Sequence, residues 1–344
     1  MLRELAGTYE LFIKTEIPAS YFSAAGLTLH HLPEPLDRPC VQSNFTEVDS
    51  AASFHQLHGF YQQADRKLEA EVRWLKSENI GLVVSDIAPL ALKAAAEAGI
   101  PGILVANFTW HDIYSHFPEA PRYQSLLNRL AEEYRLATLH CLPQLHLPPH
   151  PETPAREVGL LSLKGTPVRE RLRETLPPRL RDRTWIFIYT GQYDASVMQW
   201  EALGKMEDYL FLSRDALDPR LLPPNVVTLD ETWDFADLIA SSALVVTKGG
   251  YSTLATAFHH GLPVLCGARP DFREFEAVRA CLEERGTGMV LEPNQFLAGD
   301  WEPAIKKALK MTVKDKIKLN GERDIRQAID HLFGTASIPT QGAP

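Results

Sequence analysis

The amino-acid sequence predicts an α/β protein built from two Rossmann-like domains that face a cleft. Three observations carry this prediction. Short β-rich apolar runs alternate with helical patterns, the rhythm that builds a parallel sheet. The alternation lapses in a proline-rich stretch near residue 150 and then restarts, which describes two units rather than one. The length of 344 residues suits two domains that each bury a core.

The first unit opens with strand-like runs at residues 9–14 and 27–30. A long helix is predicted over residues 50–77, where apolar residues recur at helical spacing. Residues 80–85 form an apolar strand ending in Asp86, followed by a helix over Pro89–Ala98 that Gly99 closes, and a strand at residues 103–106. Residues 142–154 hold five prolines and little periodicity, so they read as the interdomain connection. The second unit restarts with a strand at residues 185–189 and a turn at Thr190-Gly191-Gln192. Further strands are predicted at 209–213, 225–229, 244–246 and 263–266, with a helix over about 252–260. The predicted domains are residues 1–145 and 156–330, with a disordered tail at 331–344.

Composition narrows the function. Apolar residues make up 45% and charged residues 23%, a globular balance. A formal net charge of -9 gives no long-range attraction to a phosphate backbone, so nucleic acid is not an expected partner. No apolar run approaches the roughly 18 residues that span a bilayer, and the first twenty residues hold no signal-peptide core. A cytoplasmic protein without a transmembrane segment is expected, with Cys40, Cys141, Cys266 and Cys281 as free buried thiols. The pairs His146/His150 and His259/His260 lack a third ligand at metal spacing, so no metal site is expected.

The most informative run is residues 244–253, Leu-Val-Val-Thr-Lys-Gly-Gly-Tyr-Ser-Thr. An apolar strand delivers the chain to the edge of a parallel sheet where ligands bind. Lys248, Gly249 and Gly250 form a turn through which backbone can approach a ligand closely. The following helix starts with exposed amides and a positive dipole end, and Ser252 or Thr253 can cap it or bond a phosphate oxygen. A tight strand-to-helix turn without a ligand has the same pattern. The run is not a P-loop. Thr190, Gly191 and Gln192, in the first loop of the second domain, are further candidates for phosphate contact. Asp86, at a strand end on the cleft edge, is the candidate base or sugar-hydroxyl ligand, or else a helix cap. Trp110 is a candidate stacking surface for a sugar, or a packed loop residue.

Gly249-Gly250-Tyr-Ser-Thr253, with Ala257 and Gly261-Leu-Pro263, resembles the G-G-x-x-T…E-A…G-x-P signature of GT-B glycosyltransferases. These include the enzyme that adds N-acetylglucosamine to lipid I. Val84-Ser-Asp-Ile-Ala-Pro89, Ala94-Ala-Ala…Ala-Gly-Ile-Pro101, Asn107-Phe-Thr-Trp-His-Asp-Ile-Tyr114 and residues 244–271 with Gly299-Asp-Trp301 are similar to a nearer group. That group is the glycosyltransferase-like N-terminal domain of plant arabinokinases and its free-standing bacterial relatives. The resemblance spans residues 9 to about 310. It implies a nucleotide diphosphate sugar as donor, UDP-linked, bound by the C-terminal domain, with an unidentified acceptor, no cofactor and no catalytic metal. Gly249, Gly250, Ser252 and Thr253 would hold phosphate, Thr256 would face the ribose, and Asp271 and Glu274 would face the donor sugar.

Two departures from the pattern bear on activity. The signature carries a ribose-gripping glutamate three residues after its threonine, where this chain has Thr256. Relatives also open with a strand and a Gly/His-rich loop that often places the catalytic base, whereas this chain starts within the helix that follows. The N-terminal sheet is therefore expected to lack its first strand, between residues 9–14 and 80–85. A non-catalytic binding or regulatory relative is the alternative function, and a nucleotide-sugar hydrolase or epimerase on the same fold is a third.

Overall fold

The computed structural model describes residues 1–44, 47–191, 196–215 and 217–335. The strands of the first half are β1 (Phe12–Lys14), β2 (His30–Leu32), β3 (Val83–Ser85), β4 (Gly102–Val105), β5 (Leu139–Pro143) and β6 (Ala155–Val158). Those of the second are β7 (Thr184–Tyr189), β8 (Tyr209–Ser213), β9 (Val226–Thr228), β10 (Leu244–Thr247), β11 (Val264–Gly267) and β12 (Gly288–Leu291).

The C-terminal sheet runs β12-β11-β10-β7-β8-β9, every pair parallel. Both faces are covered, so its strands read as continuous apolar runs rather than alternations. Along β7, Trp185 and Phe187 enter one core while Ile186 and Ile188 enter the other. The strand order reverses between β7 and β10. At that point the loops after the two strands diverge to opposite faces and leave a crevice.

The N-terminal half is split. β3-β4-β5-β6 form one parallel sheet and β1-β2 another, and no ladder joins β1 to β3 among the described residues. Thus each of these two strands has a partner on one side only, as the expected break between them requires. The helix expected over 50–77 is two helices, Ser50–Tyr61 and Ala64–Ser77, interrupted at Gln62-Gln63.

The expected connection at 142–154 lies inside the N-terminal domain. β5 extends to Pro143, and β6 pairs with it from His140↔Ala155 to Pro143↔Val158. The N-terminal sheet therefore runs to Val158 rather than ending at 145. The chain crosses just after it, at Gly159, where an added Cβ would lie 2.1 Å from the Leu319 carbonyl oxygen of the returning segment. That segment leads into the Gly321–Thr335 helix, whose Ile325, Ala328 and Ile329 pack on Ile103, Val105, Cys141 and Val158. Residues 331–335 are thus helical rather than part of a tail, and 336–344 lie outside the described residues.

Candidate functional site

At the crevice between β7 and β10 the two domains enclose a cleft of about 560 Å³. The C-terminal domain contributes Tyr189, Thr247, Lys248, Gly250, Tyr251, Ser252, Thr253 and Glu274 to it, and the N-terminal domain contributes Asp86, Asn107, Phe108 and Trp110 among others.

The turn after β10 assigns its two glycines different work. Gly249 has φ +88°, and a Cβ there would lie 2.6 Å from Cys266 Sγ. It is a packing and backbone requirement. Gly250 has φ -65° and ψ 135°, and a Cβ there would meet nothing within 4 Å. It is the N-cap of the Tyr251–His259 helix and supplies no capping side chain. The first amides of a helix have no intrahelical acceptor, and this start opens onto the cleft with its positive dipole end. Ser252 is exposed there, and Thr253 is buried against it. Lys248 Nζ donates to Gln42 Oε1 at 3.2 Å. Burial, and then the Arg269 charge, hold its pKa down to about 8.

The opposite wall is acidic. Asp86 follows β3 and opens into the cleft. Its side chain keeps solvent access on the cleft side; partial desolvation by the surrounding protein, with the Asp37 carboxylate second, raises its pKa. The next residue, Ile87, has φ +68°, a strained conformation for a β-branched side chain. It is held by Tyr134, whose hydroxyl donates to the Ile87 carbonyl at 2.6 Å. The same hydroxyl accepts from the Trp110 amide at 3.0 Å. Trp110 is 7% exposed and donates from Nε1 to Asp37 Oδ2 at 3.0 Å, so its ring is largely packed.

Across the cleft, Glu274 Oε1 accepts from Asn107 Nδ2 at 2.7 Å. Burial raises the Glu274 pKa, and Asn107, Arg269 and Lys248 pull it back down. The two walls are tied again by Arg273 to Asp112 at 3.8 Å and by the ring contact of Phe108 with Phe272.

The structure therefore brings Asp86, Lys248, Gly250, Ser252, Thr253 and Glu274 together at one cleft. Other sequence candidates lie elsewhere. The Thr190 amide and hydroxyl both donate to Asp215 Oδ2, at 2.7 and 2.8 Å, and Thr190 is wholly buried. The Gly191 amide also donates to Asp215. The loop after β7 thus holds an internal carboxylate where a phosphate was expected. Gln192 lies outside the described residues. Thr256 is fully buried and its hydroxyl donates to the Ser252 carbonyl at 2.7 Å, so it does not reach the cleft. Asp271 turns away to accept from the Val48 amide at 2.9 Å.

Sequence reasoning missed Asp37, Asp215 and Arg269. Asp37 is remote in sequence from Asp86, Asp215 from Thr190 and Arg269 from Lys248, and no local motif announces those meetings. Among the described residues no group of three or more His, Cys, Asp or Glu is placed to hold a metal ion.

No protein-family model matches the chain. The L-arabinokinase of Arabidopsis thaliana is 30% identical over 283 residues, 80% of this chain but 27% of that protein. The chain thus spans about a quarter of that relative. An uncharacterized glycosyltransferase of Methanosarcina acetivorans is 26% identical over 274 residues, 73% of this chain and 72% of its own. Among solved structures, spinosyn forosaminyltransferase SpnP superposes with a TM-score of 0.63 at 18% identity, covering 97% of this chain and 94% of its own. A UDP-glucosyltransferase from Polygonum tinctorium has a TM-score of 0.61 at 16% identity, covering 99% and 91%. The fold is GT-B, and in sequence the chain is similar to that L-arabinokinase and to that uncharacterized glycosyltransferase.

Proposed function

We propose that the chain binds a nucleotide diphosphate sugar, UDP-linked, in this cleft and transfers the sugar to an acceptor on the N-terminal side, without a catalytic metal. The observation that carries the reading is the uncapped helix start at Gly250 beside Lys248, directly facing the cleft that Asp86 enters from the other domain. Amides, dipole and ammonium favour the charge that grows on a departing diphosphate. Asp86, its basicity raised by desolvation, takes the proton of the attacking hydroxyl. The bond from the sugar to the acceptor oxygen forms as the bond to the diphosphate breaks. Ser252 and Thr253 hydroxyls add contacts to phosphate oxygens, and Glu274 faces the sugar.

Titration calorimetry with a panel of nucleoside diphosphates tests the first half; no binding of any of them at millimolar concentration would remove the proposal. Product analysis with a bound nucleotide sugar tests the second. A sugar joined to an acceptor supports transfer, and free sugar supports a hydrolase. Binding without turnover supports a non-catalytic relative. That second reading draws on the burial of Thr256, which leaves no carboxylate on the Tyr251–His259 helix to grip a ribose.

A further inference from the structure

The turn that carries Asp86 is held in a conformation its own sequence does not favour. It occupies residues 86–88, between β3 and the Pro89–Ala98 helix. Ile87, at its centre, has φ +68°, a left-handed conformation that a β-branched side chain rarely enters. Two hydroxyls hold the turn. Ser85 Oγ donates to the Ala88 carbonyl at 2.7 Å, and the Tyr134 hydroxyl donates to the Ile87 carbonyl at 2.6 Å. Tyr134 reaches the turn from the Gln124–Arg135 helix, is 2% exposed, and accepts from the Trp110 amide at 3.0 Å. Trp110 is the first residue of the Trp110–Tyr114 helix, which follows β4, the sheet neighbour of β3. One phenol oxygen therefore ties together the loops after two adjacent strands.

This strain does not serve a helix cap. The N-cap of the following helix is Ala88, and no side chain bonds its first amides. Asp86 instead stays exposed at the cleft that it lines. A strained residue persists only where its surroundings over-determine it, and such outliers gather at functional sites. The sheet fixes the end of β3, and packing of Leu90 and Leu92 fixes the helix. A relaxation of Ile87 to negative φ must therefore be taken up by its neighbour, Asp86.

We propose that Tyr134 is a positioning residue of this cleft: its hydroxyl holds Ile87 at positive φ and so keeps the Asp86 carboxylate facing the acceptor. Tyr134 itself touches no reacting atom. The inference rests on the reading of Asp86 as the base and deepens it, since a base acts only within hydrogen-bond reach of the proton it takes.

The experiment is a double-mutant cycle of Y134F and I87G, read by NMR on the ligand-free protein. Y134F keeps the ring and removes the hydroxyl. I87G lets the backbone hold positive φ without steric cost. In Y134F the Cα and Cβ shifts of Ile87 report negative φ. The Asp86 carboxyl midpoint there moves down toward the ordinary carboxylate value, as the group leaves the surroundings that raise it. In the I87G background the Y134F change leaves that midpoint where I87G alone has it. UDP affinity in calorimetry stays at the parent value in Y134F, because the Gly250 wall is untouched. If Y134F does not fold, Y134F/I87G is compared with I87G alone, and failure of both Y134F proteins to fold overturns the inference. It is also overturned if Ile87 keeps positive φ in Y134F, if the Asp86 midpoint does not move there, or if the Y134F shift is equal in both backgrounds. The base reading fails separately: D86N that releases UDP from UDP-glucose as fast as the parent shows that Asp86 is not the base, whatever the cycle gives.

Discussion

Substituting the two adjacent glycines of the β10 turn should have opposite consequences. Gly249→Ala forces an L-residue to hold φ +88°, which costs about 1–2 kcal/mol. It also drives a methyl to 2.6 Å from Cys266 Sγ, with Phe275 ring carbons at 3.6 and 3.7 Å behind. Cys266 is wholly buried and has little room to yield, and such overpacking costs about 1–3 kcal/mol. Together the loss is about 2–5 kcal/mol. Gly250→Ala keeps φ -65° and meets open space, so its cost is that of a poorer N-cap, about 1 kcal/mol or less. Urea unfolding of both variants measures the difference. Repeating Gly249→Ala in a Cys266→Ala background should recover the overpacking part and leave the backbone part. Gly250→Val, which is accommodated by the fold, should abolish nucleotide binding because its methyls occupy the cleft. Equal stability losses for Gly249→Ala and Gly250→Ala, or full nucleotide affinity in Gly250→Val, would refute the division of labour.

Three further outcomes are expected. Thr256→Glu places a carboxylate at a fully buried position and should destabilise by about 3–5 kcal/mol at neutral pH; the loss should shrink as pH falls through the carboxyl range, which thermal melts at several pH values would show. Nucleotide affinity should fall as pH rises through about 8, where the native Lys248 ammonium loses its proton, and Lys248→Met should flatten that dependence in calorimetry. The same depressed pKa makes the ligand-free protein gain stability from this group between about pH 8 and the ordinary lysine value of 10.5, because there the unfolded chain binds the extra proton. Asp86→Asn should leave nucleotide affinity near the parent value and reduce transfer about 10²–10⁴-fold, measured by product formation at saturating donor.

What was legible in the sequence follows physical range. Five of the six C-terminal strands were readable because strands buried on both faces, such as Thr184–Tyr189 and Leu244–Thr247, carry their signal in a few consecutive residues, whereas the half-buried edge strand β12 went unread. β6 (Ala-Arg-Glu-Val) was not, since three of its four side chains are exposed and its pairing with β5 alone makes it a strand. The helix start at Gly250 was legible as a strand-glycine-helix pattern, but its geometry was not. The positive φ belongs to Gly249, and only the packing of Cys266 reveals why. Thr190 and Thr256 misled for one reason. A hydroxyl near a turn suits a ligand or an internal acceptor equally, and Asp215 and the Ser252 carbonyl are placed by the tertiary fold.

The cleft's charges also reinforce one another. Cationic groups lie on the C-terminal side with Lys248 and Arg269, and the N-terminal side presents Asp86 beside Asp37. In the ligand-free state the cations repel each other, as do the carboxylates, and both repulsions move titrations toward the neutral form. A diphosphate at the Gly250 turn would act on both walls with the same sign. Its negative charge would raise the Lys248 pKa and keep the ammonium protonated. It would also raise the Asp86 pKa further, making that carboxylate a stronger base at the moment an acceptor hydroxyl arrives. Donor binding and base strength would thus be linked through the field across one cleft, with no moving part required. If that link operates, the acidic limb of the transfer rate with donor bound lies at higher pH than the Asp86 titration measured without it. Coincident values would mean that Asp86 does not feel the donor and that the base is elsewhere.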